Sequence, residues 1–306
     1  MQIGLLGLGR MGANMVRRMA RGGAQVAVWN RSMEVAEHLA QEQSGVTPFA
    51  HVADLVAHLV TPRVVWLMLP AGAATEQLLN ELKTVLAPGD LVVNGANAWF
   101  KDSQRYAEEL AGQQLKFIDA GVSGGVWGLE NGYALMLGGA SDAVAMVTPF
   151  ARLLAPTPDT GWLHCGPVGS GHYVKMVHNG IEYGMMQSLA EGFALMRARE
   201  DFALDLAAIS EMWRYGSVVR SWLLDLTAEA LQHDQTLASI EPFVADSGEG
   251  RWTVLESVEQ GVPTPVMSLA LMMRFTSQGR NDYTNKLLAM MRKGFGGHTV
   301  KGDAHE

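Results

Sequence analysis

Lys175, His178, Asn179 and Glu182 stand at offsets of 0, 3, 4 and 7 in the segment Gly171-His-Tyr-Val-Lys-Met-Val-His-Asn-Gly-Ile-Glu-Tyr-Gly184. At helical periodicity those offsets share one face. The face carries an amine, a carboxyl and two hydrogen-bonding groups. Oxidation of a secondary alcohol needs a group to remove the hydroxyl proton, and a Lys desolvated near another positive charge has its pKa lowered toward neutrality. Lys175 suits that task, and Glu182, two turns on, can exchange a proton at a second carbon. The competing reading is a solvent-facing pair around a core His; Met176, Val177 and Ile181 place the apolar stripe elsewhere and count against it.

The elements around this face fall into two halves. In the first, Ile3 to Leu6, Gln25 to Trp29, Val64 to Leu67 and Leu91 to Val93 read as strands, with helices over Met11 to Arg21, Glu34 to Gln41 and Ala74 to Leu86. Lys116 to Ala120 and Tyr133 to Leu137 extend the sheet. Repeated strand-helix units predict an α/β, Rossmann-type doubly wound sheet. The pattern changes near Cys165-Gly-Pro-Val-Gly-Ser-Gly171, beyond which Tyr173 to Arg199, Leu204 to Gln232, Trp252 to Gln260 and Pro265 to Phe275 read as helices. The expected division is a nucleotide-binding domain over 1–168 and an all-α second domain over 169–306.

Gly7-Leu-Gly-Arg-Met-Gly12 follows the first strand and opens the first helix. In that context the glycines bring backbone up to a pyrophosphate at a helix N-terminus, which assigns Gly7, Leu8, Gly9, Arg10, Met11 and Gly12 to a dinucleotide. At the end of the second strand, where an NAD site offers an acid to the ribose, the chain has Asn30-Arg31-Ser32. Arg31 can stack on adenine and pair with a 2′-phosphate, and Asn30 and Ser32 add uncharged hydrogen bonds. NADP is therefore expected ahead of NAD; the alternative is that Arg31 is a solvated surface residue.

A chain of 306 residues, 48% of them hydrophobic, can bury two ordinary cores. The net charge of -8 argues against a nucleic-acid partner. The single cysteine, Cys165, excludes an intrachain disulfide and fits a reducing compartment, so the cytoplasm is expected. No secretory signal precedes the first strand, and no window reaches the roughly 18 uncharged apolar residues of a membrane span. His38, His51, His58, His164 and His233 occur singly, without partners at ligand spacing, so no metal is expected.

Three segments together resemble 6-phosphogluconate dehydrogenase, decarboxylating, in its short-chain form, within the β-hydroxyacid dehydrogenase superfamily. They are Gly121-Val-Ser-Gly-Gly-Val-Trp-Gly-Leu-Glu-Asn-Gly132, Lys175-Met-Val-His-Asn-Gly-Ile-Glu-Tyr183 and Ser247-Gly-Glu-Gly-Arg-Trp-Thr253. The likeness spans nearly the whole chain, and the last two segments are specific. It implies oxidative decarboxylation of 6-phosphogluconate to ribulose 5-phosphate, a step of the pentose phosphate pathway, with Lys175 as base and then acid and Glu182 as the acid that protonates the enediol. It also implies that Ser123, Gly124 and Gly125 hold the substrate carboxylate and that His178 and Asn179 bind hydroxyls. Tyr183, Arg251 and Arg274 match phosphate and polyol contacts, and Leu69 and Asn97 join the cofactor set, Asn97 touching substrate too. Arg292 and His298 of the terminal Arg292-Lys-Gly-Phe-Gly-Gly-His298 match residues that reach a neighbouring subunit, which implies a homodimer or larger homo-oligomer. The other reading of that segment is a flexible basic tail.

One segment departs from the family pattern. Asn94-Gly-Ala-Asn-Ala98, followed by Trp99-Phe100, stands where the family has Asp-Gly-Gly-Asn-Ser. Ala96 adds a methyl where backbone approaches the cofactor, and Ala98 removes a hydroxyl. Two other readings follow: a β-hydroxyacid dehydrogenase that oxidises a small acid without losing CO2, and a catalytically weak, NADP-sensing homologue. Glu182, Arg251, Arg274 and the terminal segment speak against the first, and retention of Lys175 with Glu182 against the second.

Overall fold

The computed structural model describes residues 1–296 and residue 301. The chain separates into two compact units, Met1–Val177 and His178–Glu306.

The first unit begins with β1 (Gln2–Leu6), α1 (Arg10–Arg21), β2 (Gln25–Trp29), α2 (Met33–Glu42), β3 (Val46–Pro48) and α3 (Val52–His58). It continues through β4 (Val64–Leu67), α4 (Ala73–Val85), β5 (Leu91–Asn94), α5 (Phe100–Ala111) and β6 (Lys116–Ser123). After α6 (Gly128–Asn131), β7 (Ala134–Gly139), α7 (Ser141–Leu154) and β8 (Trp162–Gly166) finish the sheet. Among the described residues eight strands form one sheet in the order β3-β2-β1-β4-β5-β6-β7-β8. The order reverses beside β1, the switch point at which open α/β sheets bind ligands.

Both faces of the sheet are covered. Ile3, Leu5, Trp66 and Val93 enter one core, and Leu6, Val65, Leu67 and Val92 enter the other. A strand buried on both faces needs apolar residues at successive positions, which is why Val64-Val-Trp-Leu67 is an unbroken apolar run. The β6–β7 pair is antiparallel, with Asp119 opposite Gly138 and Gly121 opposite Met136. The repeating strand-helix rhythm predicts no such reversal. Its cause is the short link 124–133, which is too short for the crossover of a dozen or more residues that parallel neighbours require.

Residues 165–171, where the sequence changes character, hold the end of β8 and the start of α8 (Ser170–Arg197), the long helix that carries the chain from one unit into the other. The second unit adds α9 (Leu206–Trp213), α10 (Trp222–His233), α11 (Glu249–Gln260), α12 (Pro265–Ser277) and α13 (Asp282–Gly296). The single helix expected over Leu204 to Gln232 is two helices. Gly216 has φ +75°, which breaks the first, and the Ser221 hydroxyl starts the second by accepting the Leu224 N–H at 3.2 Å. Asp205 caps α9 in the same way, accepting the Ala208 N–H at 3.0 Å. Phe193, Leu206, Leu224 and Leu231 bury one small core of this unit, and Tyr183, Ala270 and Leu271 another. On α13, Tyr283, Leu287, Leu288, Met290 and Met291 are exposed. No described helix is long and apolar enough to cross a membrane.

Candidate active site

At the switch point, the chain turns from β1 into α1 through Gly7, which has φ +103° and donates its N–H to the Trp29 carbonyl at 2.9 Å. A side chain on Gly7 would collide with the Met68 carbonyl and with Leu69, and one on Gly12 would collide with the Gly7 carbonyl. Gly9, by contrast, faces open space and caps α1 without any side-chain hydrogen bond. The first-turn amides of α1 are thus left uncovered by any capping side chain, a cradle of backbone donors suited to a pyrophosphate. Arg10 flanks it exposed and Met11 half-buried. Leu8 is buried, and its N–H is held by the Asn30 Oδ1 at 3.0 Å, while the Asn30 amide donates to the Ser32 carbonyl at 3.2 Å. Asn30 therefore ties the loop after β2 to the glycine turn. Arg31 and Ser32 are exposed, and Arg31 makes no hydrogen bond or ion pair among the described residues.

Further along the sheet, Asn97 has φ +50° and pins its side chain to β6, accepting the Val122 N–H at 2.9 Å and donating to the Val122 carbonyl at 3.0 Å. Asn tolerates the left-handed region better than other branched or bulky residues, so the strained turn and the clamp suit each other. Ala98 beside it is buried. Ser123 ends β6, and Gly124 and Gly125 turn the chain at φ +135° and +55°.

Lys175 is 5% exposed and stands on the second turn of α8, where the helix meets β6. A Cβ on Gly121 would come within 2.5 Å of the Lys175 Cβ, so helix and strand touch with no side chain between them. The start of α8 is held by Asp119, whose carboxylate accepts the Gly169 N–H at 2.6 Å and the His172 N–H at 2.7 Å. Burial pushes the Asp119 carboxyl up to about 6, against the opposing pull of those amides. The His172 ring shares a 2.7 Å hydrogen bond with the Ser103 hydroxyl of α5, and burial lowers its imidazole to about 4, with the carbonyls of Ala120 and Asn94 opposing.

In the second unit, the same helix presents His178, Asn179 and Glu182, all half-buried. His178 Nδ1 lies 2.9 Å from the Asn179 Oδ1 and 3.9 Å from the Glu182 carboxylate. Tyr183 is buried, and the structure brings Arg251 and Arg274 around it. The Arg274 guanidinium stacks 3.5 Å from the Tyr183 ring centroid and donates to the Ala245 carbonyl at 2.5 Å. Arg251 chelates Asp246 through Nε and Nη2, at 2.9 and 2.7 Å to one carboxylate oxygen, and stacks on Phe275. That guanidinium holds the Asp246 carboxyl below the ordinary range. Close approach explains the glycines of Ser247-Gly-Glu-Gly-Arg: a Cβ on Gly250 would come within 2.5 Å of the Tyr183 ring, and one on Gly180 within 2.7 Å of Thr253. Arg292 is exposed on α13; His298 lies outside the described residues.

Residues 2–161 match the family described as the NAD binding domain of 6-phosphogluconate dehydrogenase, and residues 171–293 match its C-terminal domain. The chain belongs to the 6-phosphogluconate dehydrogenase family. It is 41% identical over 301 residues to the NAD(+)-dependent, decarboxylating 6-phosphogluconate dehydrogenase of Haloferax volcanii, covering 98% of both chains. It is 33% identical over 291 residues to the NAD(+)-dependent, decarboxylating enzyme of Bacillus subtilis, covering 92% of this chain and 62% of that protein. The structure of the Plasmodium falciparum 6-phosphogluconate dehydrogenase superposes with a TM-score of 0.84 at 30% identity, covering 100% of this chain and 67% of that one.

Within this family member, sequence reasoning passed over Asp119, His172 and Ser103. An acid inside a strand pattern and a His one residue from a glycine carry no periodic signal. Asp119 alone left a mark, a polar residue in the otherwise apolar run Phe117-Ile-Asp-Ala120. Among the described residues no group of three or more His, Cys, Asp and Glu comes together to hold a metal ion.

Proposed function

We propose that this chain is an NADP-linked 6-phosphogluconate dehydrogenase that oxidises its substrate and releases CO2, forming ribulose 5-phosphate. The observation that carries the reading is one helix, α8, bearing a buried Lys175 and, seven residues on, a half-exposed Glu182. The relatives from Haloferax volcanii and Bacillus subtilis, both decarboxylating 6-phosphogluconate dehydrogenases, support the reading.

When bound, the nicotinamide dinucleotide supplies the hydride acceptor, held by Gly7 to Gly12 with Asn30, Arg31, Ser32, Leu69 and Asn97. Lys175 takes the proton of the C3 hydroxyl as the carbon is oxidised. The resulting β-keto acid loses CO2, the bonding electrons moving toward the C3 oxygen, where protonated Lys175 stabilises the developing charge. Glu182 then protonates the carbon that bore the carboxylate, which becomes C1 of the product. Ser123, Gly124 and Gly125 hold the carboxylate, and His178 and Asn179 orient the hydroxyls. Tyr183, Arg251 and Arg274 receive the phosphate end, with Arg251 preorganised by Asp246.

Arg31, exposed and without a partner among the described residues, supports NADP; the two NAD(+)-dependent relatives favour NAD as the second reading. The exposed apolar side chains of α13 support a homo-oligomer in which Arg292 and His298 serve a neighbouring copy.

The test is simultaneous measurement of reduced nucleotide and CO2 with 6-phosphogluconate as substrate. Equal release is expected. Reduced nucleotide without CO2 would replace the proposal with simple β-hydroxyacid oxidation, and nucleotide binding with no turnover would leave a sensor.

A further inference from the structure

The first turn of α8 is gripped from two directions. Below it, Gly171 lies against the backbone of Asp119, Met136 and Gly138, and a Cβ on Gly138 would come within 2.6 Å of the Gly171 nitrogen. Neither glycine has room for a side chain of its own, so the backbone of the helix start sits directly on the sheet. Into that contact reaches one carboxylate. Asp119, 0% exposed, accepts the Gly169 and His172 amides, two of the donors that a helix N-terminus cannot pair internally. From α5, the Ser103 hydroxyl meets the ring of His172, and both of these residues are also 0% exposed.

Asp119 and Gly121 are two residues apart on β6, so they lie on the same face of the strand. One strand face thereby holds the beginning of α8 and receives the stem of Lys175. His172 precedes Lys175 by three residues, less than one helical turn, so any shift of the gripped turn is carried to the amine.

We infer that Asp119, with the Ser103–His172 pair, is the positioning network that sets the Lys175 amine, and that its role in turnover exceeds its role in holding the fold. This inference rests on the assignment of Lys175 as the acid–base group. A buried polar cluster built only for stability has no reason to converge on the turn ahead of the reactive lysine. Displacement of a reacting group by about 1 Å can cost on the order of 100-fold in rate.

The experiment compares Asp119→Asn and Ser103→Ala with the unaltered chain. Asn keeps the shape of Asp but presents an NH2 to one of the two amides, and Ser103→Ala removes the tie from α5. The expected result for Asp119→Asn is a kcat lowered about 10- to 100-fold, with KM for sugar acid and for nucleotide each within about threefold and the far-UV circular dichroism unchanged. Ser103→Ala is expected to lower kcat by about three- to tenfold in the same pattern. Acylation of the Lys175 amine, read by mass spectrometry against Lys286 as internal standard, is expected to change at least about threefold in both variants, following the exposure of the amine. That arm needs no substrate, so it decides the inference even where 6-phosphogluconate is not turned over and the functional reading has failed. If Asp119→Asn does not fold, Ser103→Ala decides alone. A folded variant with kcat within twofold of the unaltered chain, or with Lys175 labelling unchanged, overturns the inference.

Discussion

Lys175 rests its Cβ against the bare backbone of Gly121, so that a methyl at position 121 would stand 2.5 Å from it. The helix carrying the amine and the strand leading to Ser123 therefore touch directly at this glycine, one of the contacts that fix their spacing. Gly121→Ala must push α8 away from β6, because the nearest atoms belong to a Cβ and to the Gly171 carbonyl rather than to a flexible side-chain end. Turnover is expected to fall about 100-fold or more. A variant with unaltered kcat would show that the contact does not set the site.

Lys175→Met keeps most of the side-chain volume and removes the amine. Reduced-nucleotide formation should be lost while NADP affinity stays within about tenfold, the pattern of lost transition-state chemistry. Glu182→Ala acts later in the cycle. It should slow the overall rate and let ketone or enediol accumulate, which rapid-quench sampling detects. An unchanged rate for Glu182→Ala would leave that carboxylate a neighbour of His178 and no more.

Arg31→Ala should raise the KM for NADP by about tenfold or more and leave that for NAD nearly unchanged, as expected for loss of a cation facing a 2′-phosphate. Steady-state kinetics with both nucleotides decides this, and equal effects on the two would assign Arg31 to stacking or to the surface.

Asp119 and His172 make opposite contributions to stability across mildly acidic pH. The acid, raised to about 6, contributes stability that is full below its unfolded value near 4 and lost as pH rises through about 6. The base, lowered to about 4, contributes stability that is full above its unfolded value near 6.5 and lost as pH falls through about 4. Between about pH 4 and 6 the two slopes oppose each other. Asp119→Asn should expose the His172 slope, with stability rising by up to about 1.4 kcal/mol per pH unit, and His172→Gln should expose the reverse. Urea unfolding at a series of pH values reads both; slopes of the same sign in the two variants contradict this assignment.

Much of the scaffold was legible because local patterns repeat. The two-sided burial of β1 and β4 writes itself as continuous apolar runs, and the glycine turn before α1 announces a backbone that must pass close to its neighbours. Other elements left weaker traces. Helix α7 contains Pro149, which reads as a breaker, and the gap between α9 and α10 depends on Gly216 and Ser221 inside an otherwise helical pattern.

The sequence alone determined the Rossmann-type order of elements and the shared face of Lys175, His178, Asn179 and Glu182, since residue spacing along one strand or helix sets which side chains point the same way. Only tertiary structure decided which groups hold that face. Asp119 meets His172 across 53 residues and Ser103 meets it across 69, and Asn97 reaches Val122 across 25. Such partners are chosen by how strands and helices pack, because hydrogen bonding acts over about 3 Å of space and carries no periodic mark along the chain.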